Sequence, residues 1–151
     1  MTGAVTGAAV TGLTSPTYTL SADMAPDVNS KQSAVTALGG TQAGVDVSSV
    51  SRPFTVLVAK PRVATVLGKP NPVTGLINNV PRNKYRILVR KGLTILAGQP
   101  SNIGMHRSEF DLPAGADTAD IPGINALVSL SVGFHWANAN GIADTLKTNL
   151  I

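Results

Sequence analysis

The stretch Lys84-Tyr85-Arg86-Ile87-Leu88-Val89-Arg90-Lys91-Gly92-Leu93-Thr94-Ile95 alternates with a period of two. In an extended strand Tyr85, Ile87 and Val89 point to one face, and Lys84, Arg86, Leu88 and Arg90 to the other. One face is apolar and suited to lie under helices; the other is cationic. Same-side residues of a strand lie about 6.6 Å apart, a spacing comparable to that of phosphates along an extended or A-form strand. Ile103 to Leu112 predicts a second strand, with Met105, Arg107, Glu109 and Asp111 on one face and His106, Ser108, Phe110 and Leu112 on the other.

Working outward, the segment from Val47 to Ser108 contains no Asp or Glu, yet it holds Arg52, Lys60, Arg62, Lys69, Arg82, Lys84, Arg86, Arg90, Lys91 and Arg107 out of 12 Lys and Arg in the chain. Like charges gathered in one module repel each other, so a partner or solvent must absorb the field. Nucleic acid is the usual partner, because phosphate contacts release condensed counterions. The net charge of +4 points the same way without deciding it. Charged residues make up only 13 % of the chain, a weakly solvated surface that suits a subunit covered by an assembly better than a free monomer.

At 151 residues the chain is one domain by length. Met1 to Ser15 repeats Thr-Gly among small residues and predicts a flexible arm, with residues 16–151 as the folded domain. Pro16 to Ala22, Lys31 to Leu38 and Val45 to Val50 are short strand candidates, the last two separated by a turn at Gly39-Gly40. Phe54 to Val66 is rich in β-branched residues and predicts a strand, with Pro61 at a bulge, a bend or an edge. Gly68 to Asn83, with three prolines, predicts a long loop. After Pro113 the pattern becomes helical. Asp117 or Asp120 can cap a start, Pro122 suits a first turn, and Ile124, Leu127 and Val128 recur at helical spacing. That helix is expected to run to about Ala137, and a second to span Ile142 to Leu150. Strands at about 17–112 and helices at about 120–150 give an α+β fold, an antiparallel β-sheet followed by two C-terminal helices.

No catalytic constellation is present, and no cofactor, metal or small-molecule substrate is expected. The chain has no Cys, so disulfides, a thiolate nucleophile and Cys-ligated metals are excluded. No G-x-S-x-G, H-E-x-x-H or Walker A pattern occurs. His135, between Phe134 and Trp136, reads as a packed or interfacial residue, and His106 as structural. Glu109 and Asp111 are expected to salt-bridge nearby arginines. No apolar run approaches the roughly 18 residues needed to cross a bilayer, and no basic start precedes an apolar run, so neither membrane insertion nor a signal peptide is expected.

The Asn83-Lys84-Tyr85-Arg86-Ile87-Leu88-Val89 strand and the Arg107-Ser108-Glu109-Phe110-Asp111-Leu112-Pro113 strand end resemble the coat proteins of single-stranded RNA bacteriophages of levivirus type. The resemblance covers roughly Pro53 to Ile151 in element order. It implies an interlocked homodimer with one sheet continued across both subunits and the helices of each packed over its partner. Ile124, Leu127, Val128, Phe134 and Trp136 would then carry dimer and helix packing. It further implies an icosahedral shell with the sheet facing inward on genomic RNA, synthesis in the bacterial host cytoplasm, and residence in the virion. Binding of an RNA hairpin that represses replicase translation belongs to the same picture. Carried over by position, the RNA-facing residues are Arg86, Leu88, Arg90, Met105, Arg107 and Glu109. Lys84 joins them from the charge pattern, and Lys60 and Arg62 from charge alone. The N-terminal part and the Gly68 to Asn83 loop are longer than the family pattern, the Lys91 to Asn102 connection is shorter, and Leu88 stands where a polar residue would read a base.

Two other function classes compete. A non-viral β-rich nucleic-acid-binding module would favour aromatic side chains on its binding face, and Tyr85 falls on the opposite one. A pilus- or tail-like structural subunit would use the basic stretch without nucleic acid.

Overall fold

A computed structural model describes residues 1–151. Six strands, β1 (Gly3–Thr6), β2 (Thr14–Asp23), β3 (Ser30–Thr41), β4 (Phe54–Ala59), β5 (Arg82–Leu93) and β6 (Asn102–Pro113), precede three helices, α1 (Ala116–Ala119), α2 (Ile121–Ala137) and α3 (Ala139–Thr148). The strands form one sheet in the order β1-β2-β3-β4-β5-β6, every neighbour antiparallel. Strands first and helices last is the expected α+β arrangement.

β5 and β6 pair without a break from Arg82↔Pro113 to Leu93↔Asn102. Their registers confirm the parity expected from the alternation. Lys84, Arg86, Leu88 and Arg90 stand opposite Asp111, Glu109, Arg107 and Met105, while Tyr85, Ile87 and Val89 stand opposite Phe110, Ser108 and His106. The helices lie on the side of this second set. The His135 ring stands edge-on to His106 at 5.6 Å, and Val132 and Trp136 border a hollow floored by Ile87, Val89 and Phe110. The N-terminus of α2 is built as expected: the Asp120 carboxylate accepts from the Gly123 main-chain N at 2.9 Å, and Pro122 occupies the first turn.

Four expectations need correction. Residues 1–15 are not a loose arm: β1 pairs with β2 from Gly3↔Leu20 to Thr6↔Thr17. Thr11 donates from its main-chain N (2.7 Å) and its hydroxyl (2.8 Å) to Asn140 Oδ1. Backbone pairing needs no side-chain core, so a run of small residues can join a sheet edge. The Phe54–Val66 strand stops at Ala59, because Lys60 bonds back to Asn29 and Pro61 has no N–H to continue the ladder. Val45–Val50 forms no strand; Ser48 instead bonds Val35 O from its N and accepts from Phe54 N. Gly39-Gly40 is not a turn but lies within β3, beside a register shift between Thr14 and Thr17.

Gly40 explains that bulge. Its φ is +74°, and an added Cβ would sit 2.1 Å from Ser15 O and 2.6 Å from Thr14 O, both backbone atoms. Gly40→Ala is therefore expected to cost about 1–3 kcal/mol or more, read as a lowered denaturant midpoint of the purified protein. An unchanged midpoint would show that the bulge relaxes freely.

Very little of this subunit is dry. Only 8 of 151 residues are buried, far short of what a self-sufficient domain of this size hides. Most of the buried residues gather on the β2–β4 part of the sheet, among them Leu20 and Val35, paired across β2 and β3, and Thr55 and Leu57 on β4; Ala114 is buried beyond the end of β6. Nothing on α2 is buried: Leu127 is 47 % exposed, Phe134 58 % and Trp136 56 %. The stripe expected on Ile124, Leu127 and Val128 is thus not used inside one subunit. No helix is long and apolar enough to cross a membrane.

Candidate nucleic-acid interface

The face of the sheet away from the helices is built from alternate residues of β3, β4, β5 and β6. On β5 and β6 it carries Arg82, Lys84, Arg86, Arg90 and Arg107 against Glu109 and Asp111. The acid-free run along the chain is therefore not acid-free across the sheet. Glu109 Oε1 lies 3.1 Å from Lys84 Nζ and its Oε2 lies 3.8 Å from Arg86. Asp111 Oδ1 lies 2.9 Å from Arg82 Nε, and Asp46 pairs with Arg52. The expectation that Glu109 and Asp111 bridge neighbouring cations holds.

Those pairs are exposed, with the Lys84 and Arg86 side chains 60 % and 59 % accessible. Exposed ion pairs contribute about 0–1 kcal/mol, so a phosphate can replace the carboxylate at little cost. Two cations stand apart from any carboxylate. The Arg107 guanidinium hydrogen-bonds Met105 Sδ at 3.3 Å and forms no ion pair. Arg90 is half-buried and held in place, donating from Nε to Thr55 Oγ1 at 3.1 Å and from NH2 to Gln32 Oε1 at 2.6 Å. Arg86, Leu88, Arg107 and Glu109 line one shallow hollow on this face. The geometry offers a row of positive charge and no cluster of residues that could hold a metal ion.

Lys84, Arg86, Leu88, Arg90, Met105, Arg107 and Glu109 are thus brought together. Lys60 and Arg62 are not. Lys60 follows β4 and shares a hollow with Lys31 and Val58, whose register places them on the helix side, and Arg62 lies in the loop beyond. Lys91 also belongs to the helix side: its Nζ sits 4.6 Å from the Phe54 ring centre and donates to Asp46 O at 2.7 Å. Burial lowers the Lys91 pKa, Asp46 pulls it back up, and Arg52 pushes it down. Gln32 and Thr55, which hold Arg90, were missed because uncharged side chains on separate strands carry no signal until the register is known.

No protein-family model matches the chain, and no curated protein matches its sequence. Among solved structures, the virus-like particle of bacteriophage ESE020 superposes with a TM-score of 0.95 at 44 % identity, over 100 % of this chain and 98 % of that one. The chain belongs to the levivirus-type coat proteins. The virus-like particle of Beihai levi-like virus 32 shares the fold of this coat protein, with a TM-score of 0.56 at 13 % identity over 89 % of this chain and 88 % of that one. The coat protein is a capsid subunit, a structural protein and not an enzyme, and the capsid is its place.

One substitution separates the role of Glu109 from those of the cations that it bridges. Glu109→Gln keeps the side-chain shape while freeing Lys84 and Arg86, so binding of an added single-stranded polynucleotide at low salt is expected to strengthen, with a dependence on log salt steeper by about 0.7 per phosphate gained. Filter binding across a salt series measures this. Weaker binding would mean that Glu109 itself contacts the nucleic acid.

Proposed function

We propose that this coat protein forms an interlocked homodimer, that dimers close into a shell, and that the shell packages single-stranded RNA against the cationic sheet face. One observation carries the proposal: α2 holds no charged residue, presents Leu127, Leu130, Val132, Phe134 and Trp136 exposed, and buries none of them. A helix apolar over more than half of its circumference has to be covered. β6, with its far edge unpaired over Asn102–Pro113, is the natural seam for a second copy, whose α2 would then lie over the joined sheet. A long bare edge invites this pairing. An obligate interface of the usual size, about 2,000 Å² or more, would supply the core that one subunit lacks.

With helices on one side, the other side of the joined sheet is left for RNA. Arg86, Arg90 and Arg107 neutralise phosphate, and Lys84 adds charge when Glu109 is displaced. Leu88, between two arginines, has no group to read a base, so the binding favoured here is by charge and not by hairpin sequence. Electron microscopy of the expressed chain tests the assembly: closed particles are expected, and a monodisperse population no larger than a dimer would reject it.

A further inference from the structure

At one end of the sheet, β2 turns into β3 and β4 runs out towards β5. The turn, residues 24–29, and the loop, residues 60–81, are tied at their roots, Lys60 N donating to Asn29 O at 3.0 Å and Asn29 Nδ2 to Lys60 O at 2.6 Å. The loop has its own internal order. Asn83 Oδ1 accepts from Thr65 N (2.8 Å) and Thr65 Oγ1 (3.0 Å), and Asn71 closes a turn with Gly75 N (2.8 Å) and Leu76 O (2.9 Å). A loop held in this way would normally hide its apolar side chains. Instead Val66, Val73 and Leu76 are exposed, Val73 at 91 %, and on the turn Met24 and Val28 are 88 % and 94 % exposed.

The charges are divided in the same way. The loop carries Lys60, Arg62 and Lys69 with no carboxylate, and none of the three forms an ion pair within the subunit. The turn carries Asp27, which also lacks a cation, and Asp23 beside it meets only amide donors, Met24 N and Gln32 Nε2. Basic-and-apolar thus sits next to acidic-and-apolar on one rim. Such a rim is self-complementary: turned about a two-fold axis, the loop of each copy meets the turn of the other. Neither α2 nor the β6 edge is involved.

We propose that this rim is a contact between dimers, in which Val66, Val73 and Leu76 of one copy pack on Met24 and Val28 of a neighbouring copy and Asp27 meets Arg62 or Lys69. It rests on the shell-forming reading above. The chain has no cysteine, so Val73→Cys and Val28→Cys each introduce a single thiol at an exposed position. In particles, both thiols are expected to react with a maleimide at least tenfold more slowly than in dimers released from those particles. Equal rates in particles and dimers overturn the contact, as does protection of position 73 alone, which would place RNA on the loop. Charge reversal gives an independent arm. Asp27→Lys is expected to leave dimers intact and cut particle yield, and adding Arg62→Asp and Lys69→Asp to the same chain is expected to restore it. No loss, or no restoration, counts against the pairing. If the unaltered chain makes no particles at all, the shell reading itself falls, a result distinct from particles whose rim thiols label freely.

Discussion

Leu127→Asp is expected to abolish soluble dimer and particles together. Leu127 lies mid-way along α2, and at about 100° per residue the apolar residues Ile124, Leu127, Val128, Leu130, Val132, Phe134 and Trp136 spread over more than half of the helix circumference. A helix of that kind is stable only under cover. A carboxylate placed in the covered seam either stays charged without a partner, at a cost of several kcal/mol, or is protonated and left without a hydrogen bond. Within one subunit Leu127 is 47 % exposed, so the same change costs an isolated chain little. The penalty therefore falls on association, and size-exclusion chromatography with native mass spectrometry should show monomer or aggregate. Normal particle yield would reject the covered helix.

The second large effect concerns the other face. Arg86→Ala, Arg90→Ala and Arg107→Ala combined are expected to reduce encapsidated RNA several-fold while dimers persist. Each lost phosphate contact on a single strand flattens the slope of log affinity against log salt by about 0.7, so three flatten it by about 2. Arg82→Ala is the contrast: Asp111 already neutralises Arg82 through Nε and also accepts from its NH2 at the main-chain O, 2.6 Å away, so this change should move the slope far less. Arg90 is the member expected to show a structural cost, since its guanidinium joins Gln32 and Thr55 across three strands. Thermal unfolding of the dimer separates that cost from RNA loss. Unchanged RNA content in the triple variant would remove these residues from the interface.

What could be read ahead of the structure followed from local rules. The alternation of β5 and β6 tells which side chains share a face, and Asp117 or Asp120 before Pro122 marks a helix start, which the structure places at Asp120, because both signals sit within a few residues. The failures were non-local. β1 holds to β2 by main-chain bonds that its Thr, Gly, Ala and Val side chains do not advertise. β4 ends at Ala59 because Lys60 finds Asn29, thirty-one residues away. That Glu109 and Asp111 bridge nearby arginines is legible in the sequence; which cation each one takes, Lys84 and Arg86 for Glu109 and Arg82 for Asp111, follows only from the register. Lys60 and Arg62 were drawn in by charge, which has no direction until the strand phase is known. For α2, a packing stripe on Ile124, Leu127 and Val128 is expected, but apolar residues cover more than half of the circumference and none of them is buried.

Ultraviolet cross-linking of RNA within purified particles, followed by mass spectrometry of the attached peptides, decides which face of the sheet holds the RNA. Adducts are expected on the β5 and β6 peptides that carry Arg86, Leu88, Met105 and Arg107, and not on α2 or α3. Particles free of RNA, or adducts confined to the helices or to residues 1–15, would contradict it.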